Sequence, residues 1–136
     1  MFTCIDNTFL KSSFQDNILT LEVQKSMAND MEWDMSKDMI DTWYKYLEDS
    51  HVRVGLLFLL HNLVFVKPKQ LSEWKDIFNS KREKTKKYII GTAIVVENGL
   101  IRTIINTFFS SFKAERPVKF VKNKEDGIKF IKEIQD

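Results

Sequence analysis

AIVVENGLIRTIINTFFSSFKAERPVKFVKNKEDGIKFI, residues 93–131, decides the fold. It opens inside an apolar run, Tyr88–Val96 (YIIGTAIVV), which reads as a strand covered on both faces. Asn98 and Gly99 turn the chain. Ile101, Ile104, Ile105, Phe108, Phe109 and Phe112 then fall at i, i+3, i+4, i+7, i+8 and i+11, the apolar stripe of an amphipathic helix. Pro117 ends the connection, and Val118–Val121 (VKFV) predicts a short strand. Asn123 can cap a last helix, with Asp126 three residues on as a capping-box-like partner. Ile128, Ile131 and Ile134 form that helix's apolar face, with Phe130 at one side.

Upstream the same alternation continues. Val52–Val66 contains GLLFLLHNLVFV at 55–66, the most apolar stretch of the chain. It is 12 residues long and interrupted by His61 and Asn62, where a membrane-spanning helix needs ~20, so it predicts a buried strand. Pro68 stops it, and Leu71, Trp74 and Phe78 at i, i+3 and i+7 predict a helix over Lys69–Arg82. Before it, Met35, Met39, Trp43 and Leu47 recur every four residues in a helix capped by Asp34 or Ser36 and running to Asp49. Met35 and Met39 are expected in the core. Lys25–Trp33 reads as a polar connection. Thr8–Gln24 reads as a hairpin, with arms Phe9–Phe14 and ILTLEVQ around the turn Gln15, Asp16, Asn17. The order β–β–α–β–α–β–α–β–α predicts one α/β domain over residues 1–136, with 1–7 loose. Its sheet is mixed but mostly parallel, with about five strands, an antiparallel hairpin edge and four helices.

Composition sets limits on chemistry. The chain has 136 residues, 43% of them apolar, with 11 Phe, 3 Trp and 3 Tyr, enough for a real core. A single Cys, Cys4, excludes an internal disulfide and a multi-cysteine zinc site. Two His and no carboxylates at ligand spacing give no expected metal, and four Gly exclude a glycine-rich phosphate loop. No cofactor is expected. MFTCIDNTFLKSSF has no basic start followed by an apolar run, so no secretory signal is expected. With the unpaired Cys4 this fits a reducing, cytoplasmic setting.

The net charge of +2 hides an asymmetry: residues 1–50 carry 4 basic and 10 acidic side chains, and residues 67–87 carry 8 basic and 3 acidic. The tract SKREKTKK at 80–87 reads first as a solvated helix end and loop, with Lys suiting the helix C-terminus. No aromatics interleave with these lysines, as single-strand binders need, so nucleic acid is not an expected partner. An acidic partner surface is the remaining reading.

Candidate catalytic residues are few. His61 could be a base, yet no Ser, Cys or Asp stands at a telling distance, and a satisfied histidine at a strand end is the plainer reading. Cys4 would need a pocket that lowers its pKa. Asp34 and Asp38 could share a helix face and hold a cation, but read better as a solvated helix start. The strand-to-helix turns offer more, because ligands of α/β sheets bind beyond the carboxyl ends of the strands. Those turns bring Lys67, Lys69, Ser72, Glu97, Asn98 and Arg102 to one expected rim, where helix N-termini can receive an anion. The plain reading of Arg102 is a surface pair with Glu97.

The whole pattern, and residues 93–131 above all, resembles the STAS-like, or SpoIIAA-like, domains (sulfate transporter and anti-sigma factor antagonist), in particular their small stand-alone relatives. The resemblance runs from Thr8 to Ile134: a fourth strand, an Asn before an Arg-bearing apolar helix, a short strand like "pvkvF", and a final helix like "eeAlaWL". It implies a regulatory, non-catalytic module that binds a protein. Regulatory members of the family switch by phosphorylation of a Ser or Thr in a segment of the type D-l-s-g-v-x-x-i-D-S-S. Here that segment is LLHNLVFVKPKQLS at 59–72. Leu59 stands at the first Asp and Lys67, Pro68 and Lys69 in the Asp-Ser-Ser region, so the usual phosphoacceptor is absent, with Ser72 a weak substitute. Three functions remain: an interaction module, a binder of a small apolar or anionic lipid-like ligand at the rim, and an enzyme. Self-association is a further expectation. Phe108 and Phe109 point about 100° apart on a helix, so Phe109 or Phe112 is expected partly exposed in a homodimer or partner surface.

Overall fold

The computed structural model describes residues 9–110 and 116–134, and the backbone only of residues 108–110. The elements run β1 (Leu10–Gln15), β2 (Ile18–Val23), α1 (Asp30–Ser50), β3 (Val54–Leu59), α2 (Pro68–Ser80), α3 (Arg82–Tyr88), β4 (Ile89–Val95), α4 (Gly99–Ser110), β5 (Val118–Val121) and α5 (Lys124–Ile134). Five strands form one sheet in the order β1-β2-β3-β4-β5, with β1 antiparallel to β2 and the other pairs parallel.

The hairpin turns through Asp16 and Asn17, both at positive φ (55° and 62°), between the paired Gln15 and Ile18. That is the two-residue turn whose twist matches the strands, and Asp and Asn tolerate it. From β2 onward each crossover steps to the next strand in the same direction. Right-handed connections therefore lay α1, α2, α3 and α4 on one face. The larger core cluster sits there, joining Leu19, Leu21, Leu56, Phe58 and Ile94 of the sheet to Trp33, Trp43, Leu47, Ile101 and Ile105 of the helices. The opposite face holds a smaller cluster of Ile18, Leu57, Leu59, Ala93, Val95 and Val121 under Ile131 of α5. Over β1 and β2 that second face carries Lys11, Ser13, Gln15, Thr20 and Glu22, so α5 covers only its apolar half. Gly55 and Gly127 let α5 approach closely: a Cβ on Gly127 would lie 2.7 Å from Leu57 Cδ1, and one on Gly55 would overlap Ile131 Cγ2.

Three expectations need correction. The described residues hold five helices, because α3 forms from the tract read as a helix end and loop. Lys81 (φ −112°, ψ 18°) breaks the continuous helix at Ser80, and α3 then lies against α1 through Tyr44 Oη and Thr85 Oγ1, 2.7 Å apart. Helix α1 starts at Asp30, not Asp34 or Ser36. Asn29 accepts from Glu32 N–H at 2.8 Å, and Glu32 Oε1 accepts from Asn29 N–H at 3.0 Å, a capping box inside the segment read as a connection. Met39 is buried, but Met35 is 44% exposed, because steps of four residues overshoot a 3.6-residue turn and carry the first methionine off the buried stripe.

Candidate functional site

The loops after β2 and β3 are stitched together at the carboxyl edge of the sheet. Ser26 O accepts from both Val64 N–H (2.8 Å) and Phe65 N–H (3.1 Å), and Asn62 Nδ2 donates to Val23 O at 3.2 Å. Buried Gln70 accepts from Lys67 N–H at 3.0 Å and donates to Ala28 O at 3.3 Å, tying the start of α2 to the approach of α1. Holding the backbone this way turns apolar side chains outward. Val64 is 54% exposed and Phe65 48%, and Met27 and Met31 of the adjoining segment are also exposed.

Beneath them lies an apolar cavity of about 60 Å³, lined by Val23, Trp33, Leu63, Phe65, Trp74 and Ile105 among others. Trp33 and Trp74 stack with ring centroids 5.2 Å apart and planes at 28°. Both indole Nε1 atoms are buried and without a hydrogen-bond partner among the described residues. A water occupies about 30 Å³, so this volume suits about two waters, whereas small-molecule pockets run from about 300 Å³ upward.

The six expected rim residues divide into two groups. Lys67 precedes α2 with Nζ 3.6 Å from Asp30 Oδ1, while Lys69 and Ser72 are exposed on the first turns of α2. Asn98 caps α4 by accepting from Leu100 N–H (2.9 Å) and Ile101 N–H (3.1 Å), next to exposed Glu97. Arg102 points away from that turn, with its guanidinium 6.0 Å from the Phe120 ring rather than on Glu97. No hydrogen bond or ion pair among the described residues joins the Lys67 group to the Arg102 group. Strand order never reverses among the described strands, so the sheet has no switch point to open a crevice at its carboxyl edge. Side chain Phe109 and residue Phe112 lie outside the described residues, as do Cys4 and residues 1–7.

Part of the charge asymmetry is met within the chain. Lysines of α3 and of the flanks of α2 face carboxylates of α1: Lys81 Nζ to Asp41 at 2.6 Å, Lys84 to Glu48 at 3.1 Å, and Lys67 to Asp30 as above. In the other direction, Lys37 of α1 bonds Glu73 of α2 at 2.5 Å and Asp34 at 3.2 Å, and these two carboxylates, Glu73 foremost, hold its pKa above the usual lysine value. Lys81 and Lys84 of SKREKTKK thus face this protein's own first helix. Asp34 is engaged with Lys37, and no group of three or more possible metal ligands occurs among the described residues. His61 Nε2 lies 3.6 Å from Glu22 Oε2 at the sheet's edge. No helix among the described residues is long and apolar enough to cross a membrane.

Sequence reasoning missed the exposed pair Val64 and Phe65. The available signal was the break at His61 and Asn62, after which an apolar run continues into a loop rather than a strand.

No family model and no curated protein matches the chain. Among solved structures, an uncharacterized protein of the DUF3478 family with a SpoIIAA-like fold, from Shewanella loihica PV-4, superimposes with a TM-score of 0.64 over 96% of this chain and 98% of that one, at 10% identity. The fold is SpoIIAA-like. At that identity the likeness speaks for the arrangement of strands and helices expected from residues 93–131, and for nothing finer. The mixed five-stranded sheet with its antiparallel hairpin edge agrees with it.

Proposed function

We propose that this SpoIIAA-like domain is a non-catalytic protein-interaction module. It would receive an apolar helix face of a partner on Met27, Met31, Val64 and Phe65. The observation that carries this reading is the pair of bonds from Val64 and Phe65 N–H to Ser26 O, which hold two large apolar side chains half-exposed on fixed backbone. Apolar clusters kept in water usually mark contacts, and methionines adapt to varied partners. Lys67, Pro68 and Lys69 stand where the family's usual phosphoacceptor is expected, with exposed Ser72 the nearest hydroxyl on α2, so this reading rests on packing rather than on a phosphate. The test is affinity capture with the wild-type chain and with Phe65→Asp. One stoichiometric partner, lost with Phe65→Asp and retained with Lys122→Glu, supports the reading. Capture indifferent to Phe65→Asp counts against it.

The unpartnered indole N–H groups of Trp33 and Trp74 favour a second reading, a small apolar ligand with a hydrogen-bond acceptor. Such a ligand would enter by displacing Phe65. Native mass spectrometry distinguishes the two: a copurified small molecule that quenches tryptophan fluorescence on rebinding favours the ligand.

A further inference from the structure

A second surface lies on the far side of α4, along β5. A groove of about 450 Å³ is lined by Arg102, Lys119, Lys122 and Lys129, by Phe120 and Phe130, and by the carboxylates of Asp126 and Glu133, so cations outnumber carboxylates in it. Several cations elsewhere, Lys25, Lys37, Lys67, Lys81 and Lys84, sit on carboxylates. The four in the groove make no ion pair among the described residues. Two of them rest on rings instead, Arg102 over Phe120 at 6.0 Å and Lys119 over Phe130 at 5.6 Å. A ring face orients a cation while leaving most of its N–H donors unspent.

The placement of these charges selects the ligand. β5 ends the sheet. Thr92 N–H donates to Pro117 O at 2.9 Å and Val96 N–H to Val121 O at 3.2 Å, so alternate residues face β4 and the backbone of Val118 and Lys122 turns outward. Phe120 packs on the α4 side of the sheet and Phe130 on the α5 side. The cations therefore straddle the sheet edge rather than converging on a point, which suits an elongated anion better than a single phosphate. Phe120 and Phe130 are themselves half-buried against the two core clusters, which leaves them little free face for the base stacking that single-strand binders use. Lysines on an edge strand also deter stray strand pairing, but Arg102 and Lys129 lie on helices, beyond what that protection requires.

We propose that the β5 edge binds an extended acidic peptide segment, laid alongside the strand with alternate carboxylates reaching Arg102 on one face and Lys119 and Lys129 on the other. This surface is separate from the apolar rim, and its partner segment is defined by charge.

The probe is a short fluorescent peptide of alternating glutamate and valine, followed by anisotropy at low and high salt. Binding should weaken by about tenfold or more in the Lys119→Glu/Lys122→Glu double variant, and fall with added salt. Phe65→Asp should leave it unchanged, which separates this surface from the rim. Amide shifts should gather at Val118, Phe120 and Lys122. Lys129→Gln serves as a second variant, and circular dichroism verifies that each remains folded. Equal affinity in wild type and the double variant overturns the proposal, as does absent binding. Pyrophosphate binding without peptide binding, or tighter binding of oligothymidylate than of the peptide, overturns it as well.

Discussion

Replacing Gly55 by alanine should loosen the contact between α5 and the sheet. The backbone at Gly55 is not in the left-handed region, so alanine is conformationally acceptable there, and by entropy alone the change would stabilise by about 0.4–1 kcal/mol. Packing opposes this. The new methyl would overlap Ile131 Cγ2, with Cγ1 and Cδ1 each 3.3 Å away, and Ile131 is fully buried with no open side to move toward. Overpacking of this kind costs about 1–3 kcal/mol, so a net destabilisation of about 1–2 kcal/mol is expected. Ile131→Ala alone should cost about 2–5 kcal/mol through the cavity it leaves. In the double variant the methyl introduced at position 55 occupies part of that cavity, so the combined loss should fall short of the sum by at least ~1 kcal/mol. Urea unfolding followed by circular dichroism, with equal slopes across the four proteins, measures the cycle. The reasoning is refuted if Gly55→Ala is neutral or stabilising. Additivity within about 0.5 kcal/mol refutes it too.

Tyr44 should make the protein sensitive to alkali. Burial pushes its phenol up to about 12 from 10, partly offset by the Thr85 hydrogen bond. Its contribution is therefore fully present below pH 10 and lost as pH rises toward 12, by at most ~3 kcal/mol. Tyr44→Phe should remove that slope, read by urea unfolding across this range, at a cost near neutrality of about 1 kcal/mol for the bond to Thr85. Lys81→Ala should cost about 1–2 kcal/mol in urea unfolding, because it loses both the pair with Asp41 and the Tyr44 ring beneath it at 5.5 Å. A loss that does not shrink at high salt would assign it to the ring and the packing rather than the pair. Asn29→Ala should cost about 1 kcal/mol in thermal unfolding, whereas Asn29→Asp, which keeps the capping oxygen, should be close to neutral.

What was legible before the structure was local. The run from Tyr88 to Ile134 announces its elements because periods of 2 and 3.6 are broken by Asn98, Pro117 and Asn123, residues with a specific backbone role. Asp16 and Asn17 likewise place the hairpin turn. Helix α3 was not legible, since it carries no apolar stripe and is held by Asp41, Glu48 and Tyr44 from far earlier in the chain. The exposure of Val64 and Phe65 depends on Ser26, nearly forty residues away, and no periodicity encodes that bond. The direction taken by Arg102 was illegible for a related reason. Here Arg102 is drawn toward β5 by the Phe120 ring, a partner invisible to spacing arguments.

The one-way winding also bears on how the chain reaches its final state. Every strand pairs with its predecessor in the chain, so each closure spans only one crossover, and the entropy of loop formation is met in small increments rather than in one long-range search. Assembly can then spread strand by strand from the hairpin, each newly laid strand offering the template for the next. The exception is α5. Among the described residues it comes after every strand and it shields Leu57, Leu59, Ala93 and Val95, so without this helix the sheet would keep a greasy underside. Its packing closes that underside, and the glycine-lined seam at Gly55 and Gly127 sets how closely the helix can lie against it.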